Sequence, residues 1–226
     1  FIFLKDIAPG TEIFFTDLGW TGTQFQNAST NCGGVADGII KWTANSALSC
    51  GSEVYIFATT NFSTNSGTVT GIQATFNDAT KYINLSSGGD QVLAYQGTKV
   101  NPNFVAGIYM NSPAWDPLTS ACEFTSSKSA LPAALASFGF TIQPEVDNAE
   151  YLCSPNSGSG AALSAAILNA ANWAQDNGIA FPLPVVCSFV CNANGPEVTM
   201  QPVDTEVCPN IAANFSITAT NTTTYQ

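Results

Sequence analysis

A succession of short strand-like runs, each closed by turn residues, limits what this chain can fold into. Residues 1–4, 11–16, 39–43, 53–59, 68–76, 91–96 and 104–110 are rich in β-branched, aromatic and other apolar side chains. Clusters of Gly, Asn, Ser and Pro bound them, most clearly at Asn65-Ser66-Gly67 and Ser87-Gly88-Gly89-Asp90. Short strands at this spacing predict an all-β fold, an antiparallel β-sandwich.

The pattern changes after Trp115, where one or two short helices are expected. Residues 131–138 suit a short helix with Pro132 in its first turn, where the missing N–H is harmless. In residues 161–173, Leu163, Ile167, Ala170 and Ala171 form one apolar stripe, with Ser157 or Ser159 as cap and Asp176-Asn177-Gly178 as terminator. This helix is expected to cover an end or edge of the sandwich and shield it from other chains.

Asn192-Ala193-Asn194-Gly195-Pro196 reads as a linker. The expected organisation is a β-sandwich domain over residues 1–191, then a linker and a partial second domain over 192–226. Cys208 stands where an immunoglobulin-type sandwich places the first cysteine of its inter-sheet bridge, ahead of the alternating run 213–220. The core Trp and second Cys of such a domain do not follow. The tail is therefore expected to be the start of an immunoglobulin-like sandwich, with Cys208 unpaired within it.

The chain carries 16 acids against 5 basic residues, all lysine, and no histidine, for a net charge of -11. Such a surface repels phosphates, so nucleic-acid partners are not expected, and neither is binding to anionic membranes. No apolar run is long enough to span a bilayer, and direct membrane insertion is not expected.

Seven cysteines occur with no C-x-x-C pair. Without histidine as a zinc partner, disulfides are the better reading, and they imply an oxidising, extracellular or cell-surface location. Cys32, Cys50, Cys122, Cys153, Cys187 and Cys191 are the candidates. Proximity along the chain suggests Cys32–Cys50, Cys122–Cys153 and Cys187–Cys191, one of fifteen arrangements open to six cysteines.

Several local patterns occur together: Asp6-Ile7-Ala8-Pro9-Gly10-Thr11, Phe15-Thr16-Asp17-Leu18-Gly19-Trp20, Gly89-Asp90-Gln91-Val92-Leu93-Ala94-Tyr95-Gln96-Gly97 and Val146-Asp147-Asn148. As a set they resemble a domain of poorly known function in large secreted bacterial surface proteins, covering residues 1 to about 190. The tail, through Pro202, Cys208, Phe215 and Tyr225-Gln226, resembles the immunoglobulin-like repeats of bacterial adhesins, especially those exported by type IX secretion in Bacteroidetes. The resemblance implies cell-surface display and adhesion, and it supplies no catalytic residues.

Triads built on a histidine base are excluded. Paired carboxylates can hydrolyse glycosides, yet no spacing selects a pair among the acids. Asp17, Asp90 and Asp147 lie at strand ends or in loops, where carboxylates bind Ca²⁺; the plainer reading is turn-forming aspartate. Trp20, Trp42, Trp115 and Trp173 suit either a sugar-stacking platform or core packing, and packing is the commoner use. Gly158-Ser159-Gly160 before a helix is either an anion cradle or the plain start of that helix, and the latter is favoured. Five N-x-Ser/Thr sequons begin at Asn27, Asn61, Asn84, Asn214 and Asn221. They are glycan acceptors in a eukaryotic secreted protein and a mark of composition in a bacterial one.

The function these features predict is a non-enzymatic structural or adhesive module of a large extracellular protein or filament. It would need no cofactor beyond calcium. Its partners would be neighbouring domains of the same chain, surface glycans or other surface proteins. The alternative is a carbohydrate-binding module of a secreted multidomain enzyme, with a carboxylate-based glycoside hydrolase behind it.

Overall fold

A computed structural model describes residues 1–26, 37–58, 62–72, 82–116, 127–142, 145–191, 197–200 and 218–220, the last two stretches by backbone alone. The fold is all-β. Its centre is one six-stranded sheet built from β1 (Glu12–Thr16), β2 (Ile39–Thr43), β5 (Thr68–Ile72), β6 (Gln91–Thr98), β7 (Asn101–Tyr109) and β8 (Gly139–Thr141). The spatial order is β5-β2-β1-β6-β7-β8. All neighbours are antiparallel except β7 and β8, which run parallel. A hairpin of β3 (Ile56–Ala58) and β4 (Phe62–Thr64) is inserted between β2 and β5.

Strands at the centre of the sheet bury both faces. Along β1, Phe14 packs into one core with Leu18, Trp20, Phe25, Ile39, Leu93, Tyr95 and Phe104. Its neighbours Ile13 and Phe15 point the other way, into a second core with Phe3, Trp42, Val54 and Ala94. This explains why Glu12–Thr16 reads as a nearly continuous apolar run: a half-solvated antiparallel strand would alternate with polar residues. Trp42 anchors the second core. It is 0 % exposed, meets the rings of Phe1 and Phe3, and donates its Nε1 proton to the Ser66 carbonyl at 2.7 Å. Gly67 sits directly on this indole with φ +78, and an added Cβ would come within 2.5 Å of Trp42 Nε1. Only glycine meets both demands there.

Residues 1–4 make one isolated bridge, Ile2 with Glu53, rather than a strand. Leu131 and its neighbours make a single 3-10 turn, Ala133–Leu135, with Pro132 preceding it. The longer predicted helix also shortens, to α1 (Gly160–Ile167), capped by Ser159, whose Oγ accepts from Ala162 N at 3.2 Å. It stops at Leu168, and Asn169 then caps a 3-10 turn, Ala170–Asn172, by accepting from Ala171 N. Helical periodicity runs on in the sequence because Ala170 and Ala171 suit either structure. Trp173 instead opens β11 (Trp173–Asp176), which pairs with β9 (Asn148–Tyr151). Asp176 ends that strand rather than a helix, its Oδ1 accepting from the amides of Gly178 and Ile179. α1 lies against β10 (Ser157–Gly158) and the Ala170–Asn172 turn.

The chain returns to its beginning at β12 (Val190–Cys191), parallel to β10. Both described disulfides belong to this return. Cys50 is bonded to Cys191 and Cys153 to Cys187. These replace the pairings Cys32–Cys50, Cys122–Cys153 and Cys187–Cys191 suggested by proximity. The cause is the route of the strap over residues 183–191. Glu53 accepts the amides of Cys187 at 2.8 Å and Phe189 at 3.1 Å, which lays the strap beside Cys50. Cys32, Cys122 and Cys208 lie outside the described residues. In the tail, β13 (Glu197–Met200) pairs with β14 (Thr218–Thr220), and the remainder of the expected immunoglobulin-like unit lies outside the description.

Trp42→Ala should lower the unfolding free energy by about 3–5 kcal/mol. Val100→Ala, at a position 92 % exposed, should stay within about 0.5 kcal/mol. Urea unfolding of both variants checks this, and an unchanged midpoint for Trp42→Ala would contradict burial on both sheet faces.

Candidate functional site

One end of the central sheet gathers three aspartates. Asp17 follows β1, Asp37 precedes β2 and Asp90 precedes β6, and these are the three adjacent strands β2-β1-β6. Because both pairings are antiparallel, the end of β1 lies beside the starts of β2 and β6. Thr16 is opposite Ile39 on one side and Leu93 on the other. The three side chains are 0 %, 4 % and 1 % exposed for Asp17, Asp37 and Asp90.

Backbone amides hold two of them. Asp17 Oδ1 accepts from Gly38 N at 2.7 Å and Oδ2 from Asn84 N at 2.6 Å. Asp90 Oδ2 accepts from Ser86 N and Oδ1 from Gln91 N, each at 2.8 Å. The Gln91 side-chain amide donates to the Asp17 carbonyl, tying the two acids together. Gly38 packs on the Tyr82 carbonyl so closely that any Cβ would collide with it. Asp37 differs from the other two: its Oδ2 is buried without a hydrogen-bond partner.

The electrostatics follow from burial. Desolvation pushes the Asp37 carboxyl up to about 9, and the charges of Asp17 and Asp90 push it the same way. Burial raises Asp90 to about 7 against the amides of Ser86 and Gln91, with the Asp17 charge adding to the rise. Burial raises Asp17 to about 6, opposed by the amides of Asn84 and Gly38. Among the described residues, the only charges acting on Asp37 are these two repulsive ones.

Asp17 and Asp90, both expected as calcium ligands, thus share a site, and Asp37 is the residue that sequence reasoning missed. Asp147 falls elsewhere. Its amide donates to Asn177 Oδ1 at the β9–β11 pair, and its buried Oδ1 has no partner. None of its hydrogen bonds reaches the other three acids. The carboxylates of Asp17, Asp37 and Asp90 are sealed from any polysaccharide, so they do not form a glycosidase pair. Among the described residues no three acidic or sulfur side chains close on a common point as a finished metal cage.

The four tryptophans are occupied by packing. Trp20 and Trp42 are core residues. Trp115 stacks on Tyr109 at 4.9 Å, and Trp173 meets Phe140 and Tyr151 while donating to the Ile167 carbonyl. No exposed indole platform results. Gly158-Ser159-Gly160 is the plain start of a helix, with Gly160 pressed against the Leu4 carbonyl. Two clefts lie away from the aspartates. The larger, about 860 Å³, is lined by Trp115, Asp116, Leu131, Phe140, Thr141 and Asn169. The second, about 430 Å³ and mainly apolar, lies under the strap between Phe1, Phe57, Leu183 and Val186. No helix among the described residues is long and apolar enough to cross a membrane.

The folded-state values of all three aspartates lie above the ordinary carboxyl value of 3.8, so the folded chain holds more protons than the unfolded one up to about pH 9. The stability they contribute is complete below about pH 4 and is lost as pH rises through about 6, 7 and 9. With chelator present, the urea midpoint should fall between pH 5 and pH 9, and Asp37→Asn should flatten the upper part of that fall. A midpoint that rises across this window would contradict the burial of the three acids.

No protein family, characterised protein or solved structure matches this chain.

Proposed function

We propose that this chain is a non-enzymatic structural or adhesive module of an extracellular surface protein. The observation that carries the reading is the pair of disulfides, Cys50–Cys191 and Cys153–Cys187, closing the fold across separations of 141 and 34 residues. Cross-links of this kind persist in oxidising compartments and are rare in reducing ones. The rest of the chain is consistent with it. There is no histidine for acid–base chemistry, and the clustered acids are sealed from substrate. The acidic, lysine-poor surface suits partners other than nucleic acid.

The second reading, a carbohydrate-binding module, now rests on the Trp115–Asp116 cleft rather than on a row of tryptophans. That cleft offers Asp116, Thr141 and Asn169 as polar groups beside Phe140 and the Trp115 edge. Sugar sites combine such groups with an open aromatic face, and here one face of Trp115 is taken by Tyr109. The structural or adhesive reading is therefore preferred.

Antibody against the folded chain should label intact cells of the source organism; labelling only after lysis would overturn surface display. A glycan array separates the two readings. Selective sugar binding lost in Thr141→Ala or Asn169→Ala would replace the adhesive module with a sugar-binding one.

Removal of the cross-links has its own expected outcome. Each disulfide contributes about 2–4 kcal/mol. Dithiothreitol should therefore lower the Tm of the full chain by many degrees, and the Cys50→Ser/Cys191→Ser double variant should show part of the same loss. A Tm indifferent to reductant would count against the cross-links as a source of stability.

A further inference from the structure

We propose that the Cys153–Cys187 disulfide is a redox latch. Its reduction by a dithiol frees residues 180–186 from the apolar cleft of about 430 Å³, while the sheet stays folded and Cys50–Cys191 serves as the hinge. The first observation is how little else holds this stretch. Ile179 N donates to Asp176 Oδ1 and Cys187 N to Glu53 Oε2, but among the described residues no hydrogen bond holds residues 180–186 between them. Pro182 and Pro184 have no N–H to give. Packing adds little, since Leu183 is 69 % exposed and Val186 65 %. A segment with so few bonds and buried contacts sits at the low end of local stability. Residues 183–186 nonetheless line the cleft together with Tyr55, Tyr151 and Trp173, so the strap is one of its walls.

The second observation is backbone strain at the latch. Among the described residues other than glycine, only Cys153, with φ +57, and Ser188, with φ +53, are left-handed. One is a partner in the bond and the other adjoins Cys187. A residue with a Cβ is disfavoured in that region and persists there only where its surroundings impose it. Cutting the cross-link lets both relax, and strained disulfides are the more readily reduced ones. The hinge is held differently. Cys50 N donates to Asp6 Oδ1 at 2.8 Å, and Cys191 lies in β12, paired with β10. Phe189 N donates to Glu53 Oε1 and Val190 N to the Asn156 carbonyl. Access does not separate the two bonds, because each has a half-buried cysteine. Strain and anchorage do.

Reduction proceeds by thiol–disulfide exchange. One thiolate of the dithiol attacks Cys153 Sγ, the S–S bond breaks, and its electron pair leaves on Cys187 Sγ, which takes a proton. The second thiolate attacks the sulfur of the same dithiol in the mixed disulfide and releases Cys153 Sγ, which is protonated in turn. Two electrons pass to the chain, and the dithiol closes into a disulfide. Two hydrogen bonds then remain at Cys187, from its amide to Glu53 and to its carbonyl from Asn156. Against them stand the relaxation of two left-handed residues and the conformational entropy regained along 180–186. The strap therefore loosens on the Cys191 side of its attachment, and the apolar wall beneath it meets solvent. The latch operates wherever the chain meets a dithiol and does not depend on surface display.

The test exposes the full oxidised chain to graded dithiothreitol, traps the thiols with N-ethylmaleimide and maps them by mass spectrometry. Cys153 and Cys187 should be half-labelled at a dithiothreitol concentration about tenfold below that needed for Cys50 and Cys191. A second readout uses the chain labelled with 5-fluorotryptophan, its ¹⁹F resonances assigned by replacing each tryptophan with phenylalanine. The Trp173 resonance should move as the latch is cut, because Trp173 lines the cleft, and that of Trp20, in the core, should stay. Labelling of Cys50 and Cys191 first, or of all four together, overturns the proposal. So does a Trp173 resonance unmoved after Cys153 and Cys187 are reduced, which leaves the strap in place. A Trp20 resonance that moves with it also overturns the proposal, since the release is then a general unfolding.

Discussion

Burial of the central strands on both faces is the constraint from which the rest of the architecture follows. β1, β2 and β6 carry apolar side chains up and down, so a single sheet needs two covering layers. One layer comes from the Leu18–Phe25 loop with Leu131 and Leu135, the other from residues 1–7, Leu48, Val54 and Ile56 of the β3–β4 hairpin. Among the described residues, both covers consist of loops and short pairings. Side-chain links hold them in place. Gln26 connects Gly19 to Lys128, Ser129 Oγ accepts from Trp20 N, and Glu53 grips the strap at Cys187 and Phe189.

The same constraint explains what could be read from the residues alone. β1, β2, β6 and β7 are dense in β-branched and aromatic residues and are bounded by turn chemistry, so their positions are legible to within a few residues. The helix is legible at its start, where Ser159 caps it, and not at its end, where Asn169 and the pairing of Trp173 with Tyr151 overrule alanine's preference. The disulfides are illegible in principle. Their partners depend on where residues 183–191 return, and that route is decided by Glu53, more than 130 positions away from Cys187.

The aspartates show the same division. Asp17 and Asp90 stand out because each adjoins a recognisable strand. Asp37 stands one residue further off, two before Ile39, and nothing local says that β2 lies beside β1 and β1 beside β6. Strand order is a property of the assembled sheet. A reader of the sequence alone therefore sees scattered turn residues where the fold makes one buried pocket of like charge. Asp147 shows the reverse error: it resembles the other two locally and ends up bonded to Asn177 in a different part of the molecule.

The Cys50–Cys191 bond also decides how this molecule can lengthen when pulled from its two ends. Residues 51–190 lie inside a covalent loop, a separation of 141 positions that tension along the backbone bypasses. Only the residues outside it, 1–49 and 192–226, can pay out, about 290 Å at full extension. The enclosed stretch, which would otherwise add roughly 470 Å, stays gathered while the bond is intact. A tether passing through this unit would thus have a short, fixed reach outside a reducing medium, and would gain most of its slack on contact with thiols.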